Sequence, residues 1–199
     1  MKRVAAKRGA VKRFLLIGKS GVGKSSFVNA TFGVQLASWC QFEPCTKLVE
    51  SYARTTEFGD VCLIDTPGFA DDSRETDCKY LILVNSELAK NNIDVLMFFS
   101  RLDDKRFRGE DKEVLRLISV GLDKSVWNNA WLVFTFCAKV SLDVLDKSAA
   151  KRKVEMETYL KNLLENNAWR GFKMCILMDN VTPNWHPSAS VITKVLNSD

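Results

Sequence analysis

The sequence predicts an α/β fold, in which a mostly parallel sheet of about six strands carries helices on both faces. Short apolar runs alternate along the chain with longer segments of helical pattern. The 199 residues, of which 46% are hydrophobic and 27% charged, fit one globular domain with a substantial core. We therefore expect three layers, helix on sheet on helix, with ligands bound outside the carboxyl ends of the strands.

Six segments are predicted strands. Five of them are apolar runs of the kind found in buried parallel strands, and the sixth alternates with polar residues as an edge strand does. The apolar runs cover residues 14–17, 61–64, 95–99, 131–136 and 174–178, and the alternating run covers residues 48–55.

Five segments between and after these strands are predicted helices. They cover residues 25–32, 78–90, 109–120, 148–166 and 187–196. In the fourth helix a broad apolar stripe is expected to face the core, and it consists of Val154, Tyr159, Leu160, Leu163 and Leu164.

The net charge of +5 is concentrated at the amino terminus, where the first thirteen residues carry six basic side chains and no acid. We assign residues 1–12 to a basic arm and residues 13–199 to a single domain. The arm is either a solvated tail or a contact for anionic lipid. It lacks the interleaved aromatic residues of a nucleic-acid module, so we expect no nucleic-acid partner.

The cysteines and the apolar runs bear on the compartment. None of the six cysteines forms a C-x-x-C pair, which argues against a zinc site, and several lie in apolar runs as reduced thiols do. The sequence has neither a secretory signal nor an apolar run long enough to cross a bilayer. We expect a cytoplasmic protein.

The run GKSGVGKS at residues 18–25 fits the phosphate-loop pattern G-x-x-x-x-G-K-[ST], with a strand before it and a helix after it. Its glycines let the backbone wrap a phosphate, and the helix points its positive end at the same anion. Lys24 is expected to reach the outer phosphates and the Ser25 hydroxyl to ligate Mg²⁺. The loop predicts a bound nucleoside triphosphate, contacted by Lys19, Ser20, Gly21, Val22, Gly23, Lys24, Ser25 and Ser26.

A second motif, DTPG, follows the predicted strand at residues 61–64 and fits D-x-x-G. Asp65 is a candidate to hold the metal and its water shell, and the Gly68 N–H a candidate to sense a γ-phosphate, because glycine has no side chain to block close approach. Between the two motifs lies Thr46, which can complete the coordination of Mg²⁺ when its loop closes over a triphosphate. The alternative for Thr46 is an ordinary polar loop residue.

These motifs resemble those of P-loop GTPases related to translation factors, and more closely those of the septin-like branch. That branch holds the immunity-associated, AIG-type GTPases and the GTP-dependent import receptors of the chloroplast outer envelope. GKSGVGKSS and LIDTPGF resemble both groups, PCTK resembles the switch threonine of the first, and SRLDDKRFRGEDKEVLRLI resembles the R-L-D-x-x-R segment of the second. The resemblance spans residues 14–180 and implies a P-loop GTPase fold that binds GTP and GDP with Mg²⁺.

Carried over to this chain, the arginines of that segment are Arg101 and Arg106. In the receptors the second arginine approaches the nucleotide of a partner subunit across a dimer. The resemblance therefore implies that Arg106 acts in trans, in a homodimer or with a related GTPase, through the nucleotide face. The alternative is a solvated cluster in which these arginines pair with neighbouring acids. The receptors also carry a membrane anchor after the GTPase domain, so membrane association through the basic arm or through a tail is left open.

The base-binding motif N-K-x-D of most GTPases is absent, and the expected strand ends in FTFCAKVSLD. The septin-like branch often has threonine followed by His or Arg, where this chain has Thr135 and Phe136. Phe136 can stack on a purine, but stacking does not distinguish guanine from adenine. The resemblance assigns Asn180, in the family's final loop, to the guanine carbonyl, and Lys139 and Asp143 are further candidates at the base.

Many GTPases place a glutamine directly after D-x-x-G to orient the attacking water, and here that position is Phe69. Phenylalanine cannot orient water, so we expect the isolated monomer to turn over more slowly than about 1 s⁻¹. Ser73, Asp71, Asp72 or a group from a partner is left to supply the missing function. Lys24, Mg²⁺ and the backbone can still position and neutralise the phosphates.

Three functions remain open on the sequence. The first is a GTP-hydrolysing switch whose loops around Thr46 and Phe69 order on the γ-phosphate. The second is a nucleotide-gated docking or assembly module with little hydrolysis, which Phe69 and RLDDKR favour. The third is a P-loop kinase that transfers phosphate to a small acceptor, with RLDDKRFR as its lid, although DTPG has no natural place in such an enzyme.

Overall fold

The computed structural model describes residues 10–32, 48–56, 59–70, 73–104, 106–107, 109–165, 169–178 and 192–197. The strands are β1 Lys12–Gly18, β2 Glu50–Thr56, β3 Gly59–Asp65, β4 Val95–Arg101, β5 Ala130–Thr135, β6 Met174–Met178 and β7 Ile192–Asn197. The helices are α1 Lys24–Phe32, α2 Arg74–Lys90, α3 Gly109–Gly121 and α4 Leu142–Leu164, with 3₁₀ turns at Lys124–Asn129 and Cys137–Lys139.

These strands form one sheet in the order β2-β3-β1-β4-β5-β6-β7. The inner strands pair in parallel, and the edge strands β2 and β7 run antiparallel to β3 and β6. Parallel pairing brings the carboxyl ends of the inner strands to one edge, where Gly18 is in register with Phe99 and Arg101 with Thr135. The predicted α/β class, with a mostly parallel sheet, is confirmed.

The helix predicted at residues 187–196 is wrong over residues 192–196, and its first part lies outside the described residues. Residues 192–197 form strand β7, in which Leu196 is in register with Cys175 and Val195 with Ile176. The stretch ITKVLN is rich in β-branched residues, which favour a strand, and the edge of β6 offers it a ladder of hydrogen bonds. This strand is the seventh of a sheet that was expected to have about six.

The side chains of β1 alternate between two cores, because successive residues of a strand point to opposite faces of the sheet. Leu15 and Ile17 pack into a core beneath α2, α3 and α4 that also contains the fully buried Trp127. Leu16 packs into a second core beneath α1, against residues that include Phe27. Helices therefore cover both faces of the sheet, as predicted.

Helix α4 turns a stripe of residues into the core, and one of them is charged. The buried positions are Leu145, Ala149, Arg152, Met156, Leu160 and Leu164. Four of the five residues that the sequence placed on the stripe are buried or pack against the core, and the fifth, Val154, is 60% exposed. None of the helices in the described part of the chain is both long and apolar enough to span a membrane.

Candidate functional site

The phosphate loop, residues 18–25, turns tightly between β1 and α1. Gly21 and Gly23 have φ angles of +67° and +94°, which side chains other than glycine rarely tolerate. The Val22 side chain is fully buried in the core beneath α1. A β-carbon on Gly18 would lie 2.7 Å from the carbonyl oxygen of Phe99, so the start of the loop lies close against β4. The loop is thus anchored to the core by Val22 and lies against β4 at Gly18.

The predicted phosphate and metal ligands converge at the start of α1. Lys24 is buried, and its Nζ donates to the carbonyl oxygens of Gly18 at 3.3 Å and Lys19 at 3.1 Å. Ser25 Oγ donates to Oδ2 of Asp65, the fully buried last residue of β3, at 2.7 Å. A hydroxyl and a carboxylate are the hard oxygen ligands that Mg²⁺ prefers, so this donor set fits the metal.

The DTPG segment lies directly on the phosphate loop. The Phe69 N–H donates to the Gly18 carbonyl at 3.2 Å, and the Ser20 N–H donates to the Phe69 carbonyl at 3.3 Å. A β-carbon on Gly68 would lie 2.3 Å from Ser20 Cα, so any side chain there would force the segment away. The close approach predicted for Gly68 is therefore made to the loop itself.

The side chain of Phe69 points into the core and not toward the loop. It is fully buried and packs edge-on against Tyr80, with the ring centroids 6.2 Å apart. Ser73, a candidate for the missing catalytic group, caps α2 by accepting a hydrogen bond from the Thr76 N–H at 3.3 Å. The hydroxyl of Ser73 is therefore used in helix capping.

The two arginines of the arginine segment, residues 101–106, are placed differently. Arg101 donates from Nε and Nη2 to both carboxylate oxygens of Asp103, at 2.9 and 2.7 Å. The hydrogen bond from Arg101 lowers the pKa of Asp103 below its ordinary value. Arg106 is exposed and lines a cleft of about 960 Å³ between this segment and α4. Arg101 therefore belongs to a local cluster of paired charges, whereas the side chain of Arg106 is exposed to solvent.

Phe136, the predicted base-stacking residue, lies at the end of β5 with a left-handed backbone, φ +56° and ψ +32°. Cations lie over its ring: Arg101 Cζ is 4.0 Å from the centroid and Lys139 Nζ is 5.0 Å from it. Thr135 is fully buried, and its Oγ1 donates to the Ser100 carbonyl at 3.4 Å. At this strand end Thr135 is buried, whereas the side chain of Phe136 is half-buried.

Sequence reasoning missed a charged cluster between the phosphate loop and the arginine segment. Lys19 Nζ lies 2.8 Å from Asp104 Oδ2 and 3.2 Å from Glu110 Oε2. Arg152, buried on α4, donates to the backbone carbonyl of Asp104, and Asp111 is buried at the start of α3. One signal was available: an arginine that falls on the apolar stripe of a helix requires buried partners.

Burial and neighbouring charges act in opposite directions on two members of this cluster. Burial raises the pKa of Asp111 above its ordinary value, against the opposing effect of Lys19 and Arg152. For Lys19 burial favours the neutral amine, but the hydrogen bond to Asp104 and the charge of Asp111 outweigh it, so the pKa of Lys19 is raised. Lys19 is therefore held as a cation.

The remaining sequence-predicted residues are placed as follows. Thr46, Asn180, Asp71 and Asp72 lie outside the described residues. Ser26 is half-buried at the start of α1. The structure brings Lys24, Ser25, Asp65 and Gly68 to one place, and it puts Phe136 at the carboxyl end of β5, on the same edge of the sheet.

Comparison with known proteins gives one family. The sequence model of the AIG1 family matches residues 12–184. GTP-binding protein A of Dictyostelium discoideum is 32% identical over 130 residues, which cover 65% of this chain and 29% of that protein. The chain thus spans less than a third of the length of this curated relative.

Among solved structures, Toc33 from Arabidopsis thaliana in complex with Mg²⁺ and GMPPNP matches with a TM-score of 0.73 and 26% identity, over 87% of this chain and 72% of that chain. A further structure is described with the statement that dimerization is important for the GTPase activity of the chloroplast translocon components atToc33 and psToc159. It matches with a TM-score of 0.72 and 24% identity, over 87% of this chain and 71% of that chain, and shows the same fold.

Proposed function

Because this chain belongs to the AIG1 family, as its motifs indicated, we propose that it is a Mg²⁺-dependent GTP-binding switch that hydrolyses GTP slowly and is regulated by nucleotide-linked dimerisation. The observation that carries the proposal is the convergence of two motifs: Ser25 Oγ lies 2.7 Å from Asp65 Oδ2, beside the buried Lys24. The Dictyostelium relative is named for GTP binding, and Toc33 binds Mg²⁺ and GMPPNP. Both support GTP, GDP and Mg²⁺ as ligands here.

Phosphate binding is assigned to the loop backbone and to Lys24. The Lys24 ammonium donates to two loop carbonyls, and a phosphate oxygen is the stronger acceptor because it is charged. We expect Lys24 to exchange these carbonyls for the outer phosphates, while the N-terminal end of α1 faces the same anion. Ser25, Asp65 and Thr46 would hold Mg²⁺, which when bound neutralises charge on the phosphates.

Slow hydrolysis is proposed because the position that usually orients the attacking water is buried. Phe69 is fully buried, so water at the γ-phosphate meets backbone there. Lys24 and the Gly68 N–H are assigned to stabilise charge on the phosphoryl group during transfer. An additional positive charge at the phosphoryl group is assigned to Arg106 of a second GTPase, since this side chain is exposed on the arginine segment.

Dimerisation through the nucleotide face is the proposed mode of regulation, in a homodimer or with a related GTPase. It is supported by the exposure of Arg106 and by the statement that dimerization matters for GTPase activity in atToc33 and psToc159. Residues 13–199 are proposed to form the single GTPase domain. On the resemblance to envelope import receptors, the proposed location is the cytosolic face of a membrane, with residues 1–12 or a tail as the contact.

Guanine recognition is proposed to use stacking on Phe136 and the amide of Asn180. Phe136 presents a ring at the carboxyl end of β5 with cations over it. Because a π-face binds every base, Phe136 supplies affinity and leaves the choice of guanine to Asn180. Thr135 is proposed to support this strand end from below, since its hydroxyl is bonded to β4.

A second candidate is a nucleotide-gated docking module in which hydrolysis has little part. The burial of Phe69 favours it, because the described residues offer no side chain at that position to orient water. The kinase hypothesis is disfavoured, since Phe69, directly after DTPG, is hydrogen-bonded to the phosphate loop, and DTPG has no natural place in such an enzyme.

Calorimetric titration of nucleotide-free protein with GTP, GDP, ATP and ADP in Mg²⁺ tests the proposal, with Lys24→Ala as the control. We expect guanine nucleotides alone to bind and Lys24→Ala to abolish binding. Equal binding of adenine nucleotides would overturn guanine specificity and revive the kinase hypothesis. No binding by the folded protein would overturn the proposed function.

Hydrolysis measured at substoichiometric protein separates the two candidates. A switch releases phosphate over many turnovers, at a rate that rises with protein concentration because the partner supplies Arg106. A docking module binds GTP and releases almost none. Phosphate transfer to an added acceptor would identify a kinase.

A further inference from the structure

Lys19 links the phosphate loop to the arginine segment. Its Nζ lies 2.8 Å from Asp104 Oδ2, with the two side chains only 13% and 22% exposed. The same ammonium lies 3.2 Å from Glu110 Oε2 at the start of α3. A charge-assisted hydrogen bond with this much burial is stronger than an exposed ion pair and fixes the geometry of both partners.

Arg152 holds the same segment from the opposite side. It is 5% exposed on α4, and it donates to the backbone carbonyls of Asp104 and, at 3.5 Å, of Arg101. The side chain of Asp104 is thus bound to the phosphate loop while its backbone is bound to α4. A buried guanidinium bonded to backbone oxygens resists displacement, because its donors would be left unpaired.

The backbone of Lys19 also contacts the segment expected to respond to the γ-phosphate. Lys19 forms a bridge with Phe69, and the next N–H along the loop, that of Ser20, donates to the Phe69 carbonyl at 3.3 Å. A phosphate that accepts from the Ser20 N–H must break this bond. The loop then shifts, and Lys19 and its carboxylate partner shift with it.

We propose that Asp104, which is paired with Lys19, is a positioning residue: it transmits the binding of nucleotide at the phosphate loop to Arg106. In this way it couples nucleotide binding to assembly with a second GTPase. Arg106 lies two residues after Asp104 in the sequence, so we expect its position to depend on where Asp104 is held. The inference rests on the proposed function, and it adds the residue that links nucleotide binding to dimerisation. By reciprocity, assembly then changes nucleotide affinity by the same factor.

The test compares wild type, Asp104→Asn, Asp104→Glu and Glu113→Gln. Glu113 is the matched control, since it pairs with Arg116 on the surface of α3, and among the described residues it has no ion pair with the phosphate loop or the arginine segment. Sedimentation gives the dimer dissociation constant with GDP and with GMPPNP, and calorimetry on dilute protein gives the monomer's nucleotide affinity. Thermal unfolding confirms that each variant folds.

For Asp104→Asn we expect the difference between the two dimer constants to shrink by about tenfold, while monomer affinity changes by less than about threefold. Asp104→Glu, which keeps the charge, should restore the coupling in large part, and Glu113→Gln should match wild type. An unchanged coupling in Asp104→Asn, or an equal loss of monomer affinity, would overturn the inference. A wild-type chain that binds GTP but never assembles would overturn it too and leave GTP binding standing, whereas absence of GTP binding would overturn both.

Discussion

The two sides of the proposed nucleotide site differ in what holds them. On the phosphate side, Lys24, Ser25 and Asp65 are joined to the backbone or to each other by hydrogen bonds of 2.7 to 3.3 Å. On the base side, the ring of Phe136 is half-buried and faces the long, flexible side chains of Arg101 and Lys139. The proposed phosphate contacts are therefore held in place by hydrogen bonds, and the proposed base contact is held by packing of side chains.

This difference shows which part of the site can vary. A loop that uses glycine φ angles and N–H groups permits few substitutions, because the backbone path itself is the recognition element. A stacking surface tolerates change, since any flat ring or guanidinium can supply part of it. We therefore expect substitutions on the phosphate side to have larger effects than matched ones on the base side.

After Lys24→Ala, the largest expected effect on GTP affinity comes from Ser25→Ala, which removes one hydroxyl. Ser25 Oγ is bonded to Asp65 and is the proposed metal ligand, so affinity for GTP in Mg²⁺ should fall by at least about 100-fold. Calorimetry with and without Mg²⁺ measures it. The Mg²⁺ dependence itself should disappear in the variant.

Ser86→Ala is the matched control, because this exposed hydroxyl on α2 donates to the Ile82 carbonyl one turn away. Its GTP affinity should equal that of wild type. If Ser25→Ala bound GTP within threefold of wild type, on the order of 0.7 kcal/mol, the phosphate side would not be the stronger one.

Gly68→Ala tests the contact between DTPG and the loop. A β-carbon would lie 2.3 Å from Ser20 Cα and 2.6 Å from its N, so the free energy of unfolding should fall by about 2 kcal/mol. Denaturant unfolding measures this value. Gly109→Ala, where a β-carbon meets nothing within 4 Å, should stay within about 0.5 kcal/mol of wild type. Equal losses in both variants would mean that the close approach does not matter.

The phosphate side is predictable from sequence because each of its residues belongs to a short local motif. Lys24 and Ser25 belong to one motif, and Asp65 follows an apolar strand that must pair beside β1. Asp104 and Lys19 lie 85 positions apart, and nothing local marks them as partners. Only the parallel pairing of β1 with β4 brings the two strand ends together.

The errors in fold prediction have the same origin. Residues 192–196 were expected in a helix, but the edge of β6 pairs with them as a strand. Val154 was expected on the buried face of α4, but it is exposed, and Arg152 takes a buried position of that helix. Local pattern gives the type of most elements, and tertiary partners decide edges and rotations.

On the base side, Phe136→Leu removes the stacking ring and keeps an apolar side chain. Affinity for GTP and GDP should fall by about tenfold, as expected for one stacked base. Because stacking is blind to the base, the preference for guanine over adenine should be unchanged. Competition binding with GTP and ATP measures both quantities.

Phe107→Leu is the control for loss of an aromatic ring outside the base side, since Phe107 packs on Tyr159 beside α4. It should leave nucleotide affinity unchanged. A loss of guanine preference in Phe136→Leu would instead give this residue a part in base selection that a π-face cannot supply.

The smallest expected effect concerns Asp111, which lies between the two sides. Its carboxyl faces Lys19 of the loop, Arg152 of α4, Ser100 of β4 and Asp104 after β4. Burial raises the pKa of this carboxyl above the ordinary value of 3.8. The folded chain therefore keeps this proton to higher pH than the unfolded chain does. The free energy of unfolding of wild type, relative to Asp111→Asn, should fall as pH rises through the raised pKa. The fall should reach about 1.4 kcal/mol for each pH unit that separates the pKa of the folded chain from that of the unfolded chain.

Denaturant unfolding of both proteins from about pH 4 to pH 8 gives this difference, and Asp123→Asn supplies a control of opposite sign. Hydrogen bonds from Ser125 lower the pKa of the exposed Asp123, so its contribution is present at neutral pH and is lost as pH falls. Opposite slopes for the two aspartates would show that burial governs Asp111. A slope of the same sign as that of Asp123 would show that the charges of Lys19 and Arg152 outweigh burial. Ion pairing would then stabilise the region around Asp111 between the phosphate side and the base side.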